Sequence, residues 1–388
     1  MEVLVAEYVC CSSKHLYALK EFITEGFAMA YYVARDLASC GVSVDLALCP
    51  DVLSRVTVPR GVGVVCVPRE LDLIDFLREY CDRYDYVVAI APPPQLIRVV
   101  DVVGDRFLGS EPRLVKLFSN KFATIRLLGE LGIDVPPTVF VHGSLSIPEV
   151  SELGFPVVAK PVDCAGGSGT SLVTSCSELK GAVSRALSCS EVCYALVQEY
   201  VPGTHMSISA IVRDGDVTLL SLNLQFIGVN HGFRYYGGLL PLRRFAFEAT
   251  SLVRRVVEEL PGLRGYVGFD VIYHGGSLYV VEVNPRLTTS YVGLSKLLGP
   301  KAGLYLLSAV SNVELKTRVP LISDRYSYYV LTEFPSLVNG EEIIYVPGIS
   351  IEMMHVDCGD LGYVESRLRT LLPQNLRYLA DVVSTLLS

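Results

Sequence analysis

Residues Tyr279–Gly293 read YVVEVNPRLTTSYVG, and the fold is decided by how this stretch is read. The apolar run Tyr279-Val280-Val281 has the composition of a buried strand. It delivers Glu282, Asn284 and Arg286. Strand side chains alternate with period two, so Val283 leaves the carboxylate and the amide on one face. Twelve residues before Glu282, Asp270 sits in a second short strand, Gly268-Phe269-Asp270-Val271-Ile272-Tyr273. The turn His274-Gly275-Gly276-Ser277 joins the two as a hairpin. The pairing predicts Asp270 and Glu282 close to an amide oxygen. These are hard oxygen ligands with few positive charges nearby, a set that suits Mg²⁺ when phosphates supply the rest of the shell.

Around this hairpin lie 388 residues, enough for two or three domains. Hydrophobic residues make up 51%, ample for large cores, yet no apolar run reaches the roughly 18–20 residues of a membrane helix. The start, MEVLVAEYVCC, lacks a basic segment and reads as a first strand rather than a signal peptide. A cytoplasmic protein is expected. The net charge of −8, without any Lys/Arg-rich run, argues against a nucleic-acid partner. The 11 cysteines include no paired C-x-x-C pattern and read as small buried hydrophobes in a reducing compartment. Only nine of the 33 basic residues are lysine, so a lysine inside an apolar strand draws notice.

Residues 1–110 alternate short apolar strands with amphipathic segments, which predicts a doubly wound parallel sheet. Its strands are expected at Val3–Ala6, Val42–Leu48, Gly63–Val67 and Tyr86–Ala91, the last stopped by Pro92-Pro93-Pro94. A G-x-G-x-x-G after the first strand is missing. A helix is expected over Arg113–Leu131, carrying Lys121. A new sheet begins at Val139-Phe140-Val141, and the strand Val157-Val158-Ala159 ends at Lys160. From 204 the pattern is mostly antiparallel, with 225–241 as a Gly/Tyr/Asn-rich connection. Residues 301–388 read as a helix, three strands and a final helix. The domains are expected at 1–112, 113–200, 201–310 and 311–388.

Lys160 is followed by Asp163-Cys164-Ala165-Gly166-Gly167-Ser168-Gly169-Thr170, which places an ammonium beside backbone N–H groups that an anion can approach closely. The spacing is not that of a P-loop. Lys121, alone, is an ordinary surface lysine. The strand edge Gln198-Glu199-Tyr200-Val201 ends at Pro202-Gly203 and can leave backbone groups suited to an adenine edge.

Lysine, lysine with a glycine loop, strand hinge, Asp270 and Glu282-Val283-Asn284-Pro285-Arg286, in that order, resemble the ATP-grasp ligases over residues 113–300. Within them the chain is similar to the archaeal branch containing tyramine–glutamate ligases. The further similarity rests on Glu25-Gly26-Phe27-Ala28-Met29, Asn223-Leu224-Gln225 with Tyr236-Gly237-Gly238, and Asn284–Gly293. The resemblance implies an α/β and α+β protein of the ATP-grasp fold. It would have an N-terminal doubly wound parallel α/β domain, a small lid domain and a central, mostly antiparallel domain.

The resemblance also implies roles. Lys121 and Lys160 would hold the α- and β-phosphates of ATP, and the loop Gly166, Gly167, Ser168, Gly169 would close over the phosphates. Gln198, Glu199, Tyr200 and Val201 would line the adenine. Asp270, Glu282 and Asn284 would bind Mg²⁺, or Mn²⁺ in its place. Arg286, with Lys160, would act in catalysis. The carboxylate substrate would lie between Arg286 and residues 223–238, against Asn223, Gln225, Tyr236 and Gly237, with Thr288, Thr289 and Ser290 as hydroxyl contacts. Tyr326, Tyr328, Tyr329 and Glu333 are candidates to cap the amine site, although a packing extension or oligomer interface is the plainer reading of that region.

Three positions depart from relatives. Thr204 and His205 stand where an acidic ribose contact is common, and His205 can still hydrogen-bond a ribose. Gly268 stands where some ligases carry arginine, and Leu224 where a basic residue would stand in Asn-Arg-Gln. The expected reaction is amide formation from small carboxylate and amine substrates through an acyl-phosphate, on a chain that can form homodimers. Glutamate and an aromatic amine follow from the similarity. A different amino acid or amine, phosphorylation alone, or a non-catalytic nucleotide-binding regulator are the alternatives.

Overall fold

The computed structural model describes residues 1–16, 19, 22–142, 150, 152–230, 232–310, 325–332, 342–346, 349–357 and 361–387. The first region runs β1 (Glu2–Glu7), α1 (Ile23–Ser39), β2 (Ser43–Leu48), α2 (Pro50–Leu53), β3 (Gly63–Cys66), α3 (Leu73–Tyr80), β4 (Tyr86–Ile90) and α4 (Pro93–Val103). Its four strands pair in parallel in the order β3-β2-β1-β4, as strand–helix alternation predicts. The proline run that stops β4 also starts α4. Proline fits the first helical turn, where its missing N–H has no partner to lose. The sequence reading saw only the stop.

Next come α5 (Pro112–Phe118), α6 (Lys121–Glu130), β5 (Thr138–His142), β6 (Val157–Pro161), β7 (Ser171–Val173), α7 (Cys176–Cys189) and β8 (Tyr194–Glu199). The expected single helix over 113–131 is therefore two. Asn120 breaks it by leaving helical geometry and accepting a hydrogen bond from Ala123 N at 3.0 Å, an N-cap in mid-run. Lys121 thus opens α6 instead of lying along it. Strands β5-β8-β6-β7 form a small antiparallel sheet covered by α7.

The last region comprises β9 (Thr204–Arg213), β10 (Asp216–Asn230), β11 (Gly232–Leu240), α8 (Ala246–Glu259), β12 (Gly265–His274), β13 (Ser277–Asn284), α9 (Ser290–Leu298), α10 (Lys301–Ser308), β14 (Arg325–Thr332), β15 (Glu342–Val346), β16 (Ile349–Asp357), α11 (Leu361–Leu371) and α12 (Tyr378–Leu387). Its antiparallel sheet has eight strands in the order β13-β12-β9-β10-β11-β14-β16-β15. Within the expected connection, residues 225–230 and 232–240 are strand. Gly237 (φ 129°) and Gly238 are there because β11 lies against β14: a Cβ on Gly237 would stand 2.0 Å from the Tyr329 carbonyl oxygen. The C-terminal residues join the same sheet through β11–β14 pairing.

One apolar core lies under the parallel sheet and continues into α9 and α10, which pack on α1. A second fills the other face of the large sheet, below α8, α11 and α12. A third belongs to the small sheet. A buried polar joint ties α1 to α9. Asp36, with no exposed surface, accepts from Tyr291 Oη at 3.1 Å, from Ser295 Oγ and from Arg35 Nη2 at 3.0 Å. Burial pushes its carboxyl up to about 6 despite Arg35. The ten described cysteines are free thiols. Among the described residues no helix is long and apolar enough to cross a membrane.

Candidate active site

The β12–β13 hairpin forms as its sequence predicts, with Asp270 directly opposite Glu282 and Gly268 opposite Asn284. A bulge between Asp270 and Val271 leaves Val281 as an extra residue on β13. Two like charges across a strand pair repel. Burial and the neighbouring Glu282 raise the Asp270 carboxyl well above the usual range. Its oxygens are nonetheless occupied. Gln225 Nε2 donates to Oδ1 at 2.8 Å and Asn284 Nδ2 to Oδ2 at 3.1 Å, which leaves the Asn284 amide oxygen for another partner.

Both lysines converge here from the small-sheet region. Lys121 is buried; its Nζ lies 3.1 Å from Glu282 Oε1 and donates to Cys164 O at 2.5 Å. Its own N–H donates to Val162 O at 2.8 Å, so the start of α6 is pinned to the end of β6. Lys160 Nζ donates to the bulge carbonyl, Val281 O, at 3.3 Å. Burial and then Lys121 push the Lys160 ammonium down to about 8, against the pull of Glu282 and Asp270.

Among the described residues no three His, Cys, Asp or Glu side chains cluster to hold a metal alone. Two carboxylates and one amide oxygen beside two ammonium groups fit a magnesium ion whose remaining ligands are phosphate oxygens. The residues present therefore fit Mg²⁺ with a triphosphate.

The glycine loop lies over this point. Gly166, Gly167 and Gly169 have φ of 64°, 77° and 69°, and Ser168 N bonds Ala165 O at 3.2 Å. A Cβ on Gly166 would meet the Phe22 ring at 2.6 Å, and one on Gly167 the Phe233 carbonyl oxygen at 2.5 Å. The loop thus seats against both α1's approach and β11, and only glycine permits that distance. His205, on β9, stands edge-on to Phe233 at 6.4 Å between centroids. Burial pushes its imidazole down to about 4, so it is neutral at pH 7. Gln198 is buried, donating to Thr138 Oγ1 at 2.8 Å. The N–H groups of Glu199 and Tyr200 reach Pro137 O and Pro156 O, while Val201 is buried where the hinge turns away.

The remaining predicted contacts divide by strand parity. Asn223 is fully buried and saturated: it accepts from Ser221 Oγ at 2.6 Å and donates to Ser207 Oγ at 3.0 Å and Ser209 Oγ at 3.2 Å. Ser209 continues the network to Tyr266 Oη at 2.7 Å, and Tyr266 meets Thr288 Oγ1 at 3.0 Å and Ser290 Oγ at 3.3 Å. Thr288 also fills the space above Gly268, where a Cβ would meet its Cγ2 at 2.6 Å. That contact explains why a larger residue has no room at Gly268. Tyr236 packs into the second core under Arg234. Its neighbour Tyr235, on the opposite face, donates or accepts at Tyr329 Oη, 2.6 Å away, and both rings lie within the fields of Asp270 and Glu25. Tyr326 and Tyr328 turn to the second core with Tyr236. Glu333 lies outside the described residues.

Arg286 follows the hairpin, half-buried, with Nη1 on Leu287 O at 2.9 Å and the fields of Glu282, Asp270 and Glu7 around it. Two acids from the N-terminal region face it. Glu25 opens α1 and accepts from Thr289 Oγ1 at 3.0 Å; burial raises its carboxyl to about 7. Glu7 ends β1, is 4% exposed, and accepts from Cys10 N at 2.8 Å. Gly26 makes room for it, since a Cβ there would stand 2.5 Å from Glu7 Cδ. Sequence reading marked Glu25 only within a stretch of similarity, named Tyr329 among the candidates to cap the amine site, and missed Glu7 and Tyr235. An acidic residue ending an otherwise apolar β1 was the available signal.

The ATP-grasp domain family model matches residues 118–290. Residues 118–290 therefore form an ATP-grasp domain. The chain is 25% identical over 271 residues to tyramine–L-glutamate ligase of Methanocaldococcus jannaschii, covering 67% of this chain and 74% of that one. Its fold is shared with an L-amino acid ligase from Bacillus licheniformis (TM-score 0.66, 17% identity, 96% of this chain and 97% of that one). It is shared also with the biotin carboxylase domain dimer of Hydrogenobacter thermophilus 2-oxoglutarate carboxylase, solved with MgADP and bicarbonate (TM-score 0.72, 15% identity, 95% and 89%).

Proposed function

We propose that the chain joins a glutamate carboxylate to an aromatic amine such as tyramine, using ATP. The observation that carries this reading is the convergence of Lys121, Lys160, Asp270, Glu282 and Asn284 with Arg286 and the Tyr235–Tyr329 pair at one place. Similarity to tyramine–L-glutamate ligases supports the substrate pair.

A carboxylate does not accept an amine at neutral pH, because oxide is a poor leaving group. Phosphorylation replaces oxide with phosphate, and the step needs alignment and charge neutralisation more than covalent help. Magnesium bound with ATP would supply neutralisation of phosphate charge. Lys121 and Lys160 bind phosphate oxygens, and the glycine loop excludes water above them. Asp270, Glu282 and the Asn284 oxygen hold the metal side. Arg286 orients the carboxylate toward the γ-phosphate and stabilises the charge on the transferring group. Tyr235, half-buried and held by the fully buried Tyr329, offers an aromatic face to the amine.

The test is Mg²⁺-dependent ADP release across a panel of carboxylates and amines. Glutamate with tyramine is expected to give the highest rate. ATP binding without stimulation by any pair would rule out the ligase reading.

A further inference from the structure

Glu25 and Glu7 are carboxylates held inside the protein beside the candidate active site, yet neither has a cation within 4 Å among the described residues. The other buried acids nearby are treated differently. Glu282 has Lys121, and Asp36 has Arg35. Burying an unpaired carboxylate is costly unless something completes it. Glu7 is enclosed under Gly26 and held by the Cys10 peptide, so it serves as a fixed charge behind Arg286. Glu25 differs. It lies less deeply, has one neutral hydrogen-bond partner, Thr289, with Arg286 lending only its field, and acts with Asp270 on Tyr235 and Tyr329. Glu25 is thus a partly exposed acid against the stretch that follows the hairpin, within the fields of Arg286 and of the Tyr235–Tyr329 pair. That is the environment an alkylammonium with an aromatic end would complete.

Resting on the ligase reading above, we propose that Glu25 docks the incoming amine as its ammonium and takes its proton, as the base for amide formation. The amine arrives as R–NH₃⁺ and gives one proton to the Glu25 carboxylate. The freed lone pair attacks the acyl-phosphate carbon; the C–N bond forms, and the C–O bond to phosphate breaks with its electron pair on oxygen. The surplus N–H proton leaves on the phosphate, and Glu25 returns its proton to solvent. Thr289 holds the carboxylate in place, a positioning role. The elevated affinity of Glu25 for protons suits the transfer.

The test compares wild type with Glu25→Gln in the full chain, given L-glutamate and Mg·ATP and either tyramine or hydroxylamine. Hydroxylamine is small and uncharged at neutral pH, so it intercepts the acyl-phosphate without docking or a base. Glu25→Gln is expected to lower amide formation about 100-fold while hydroxamate formation stays within about threefold of wild type. Equal losses in both assays would assign Glu25 to the carboxylate or to the fold and overturn the proposal, as would an unchanged amide rate. Should Glu25→Gln fail to fold, Glu25→Asp reads the same split, with amide formation down about tenfold and hydroxamate formation within about threefold of wild type; equal losses again overturn it. No hydroxamate from wild type with any carboxylate of the panel would instead bring down the ligase reading, and this proposal with it.

Discussion

On the hairpin side of Arg286, Asp270 is held by Gln225 and Asn284, and Glu282 by Lys121. On the α1 side, Glu25 has a threonine hydroxyl and Glu7 a peptide N–H. The first group is nearly complete in charge before anything binds, which keeps two opposed carboxylates from unfolding the hairpin. The second has no cation within 4 Å among the described residues, and Arg286 lends it only its field. A site for a fixed partner such as Mg·ATP can be pre-paired with its own lysines. A site that must choose among small molecules gains discrimination by leaving a buried charge for the right one to satisfy, because a ligand lacking it leaves that charge unpaired.

Glu282→Gln breaks the complete side most severely. It removes a candidate metal ligand and the partner of Lys121, and turnover is expected to fall by about 100- to 1000-fold. ADP release under saturating substrates measures it, and full activity would refute the metal assignment.

Lys160 sharpens the comparison through pH. Its ammonium is pushed down to about 8 in the free protein, and an anionic phosphate favours the charged form. Nucleotide affinity should therefore be full below pH 8 and weaken as pH rises above it, approaching about tenfold per unit. Calorimetric titration of wild type checks this, and Lys160→Met should bind more weakly at pH 7 with a flatter profile. A profile unchanged by the substitution would remove Lys160 from the phosphate site.

The smallest expected effect concerns Asn223. Its amide is spent on three serines, so Asn223→Ala should cost about 1–3 kcal/mol of stability while changing the KM for the carboxylate less than about threefold. Denaturant unfolding and steady-state kinetics separate the two. A large KM change with unaltered stability would return Asn223 to the substrate.

The complete side was also the legible side. Asp270, Glu282 and Asn284 stand on adjacent strands joined by a four-residue turn, so alternation and one hairpin place them. Lys160 and its glycines are contiguous. The α1 side required knowledge that sequence order does not carry: β1 and α1 must fold onto a hairpin more than 250 residues away before Glu25 meets Thr289. Tyr236 came from the family resemblance; with 225–241 read as connection, strand alternation went unused there. Only with β11 recognised as a strand does Tyr235 fall on the site face. Asn120 was hidden for a local reason, a polar cap inside an otherwise helical run.

Tyr329 has a consequence of timing. By the time synthesis reaches Leu298, the nascent chain already contains both lysines, the glycine loop, the hairpin and Arg286. The ring that faces Tyr235 arrives some 30 residues later, on a strand that can only add to β11 once β11 exists. A ribosome-bound intermediate of that length would hold the lysines, the glycine loop and the hairpin before Tyr329, so the residues proposed to meet ATP would precede the tyrosine pair proposed to meet the amine.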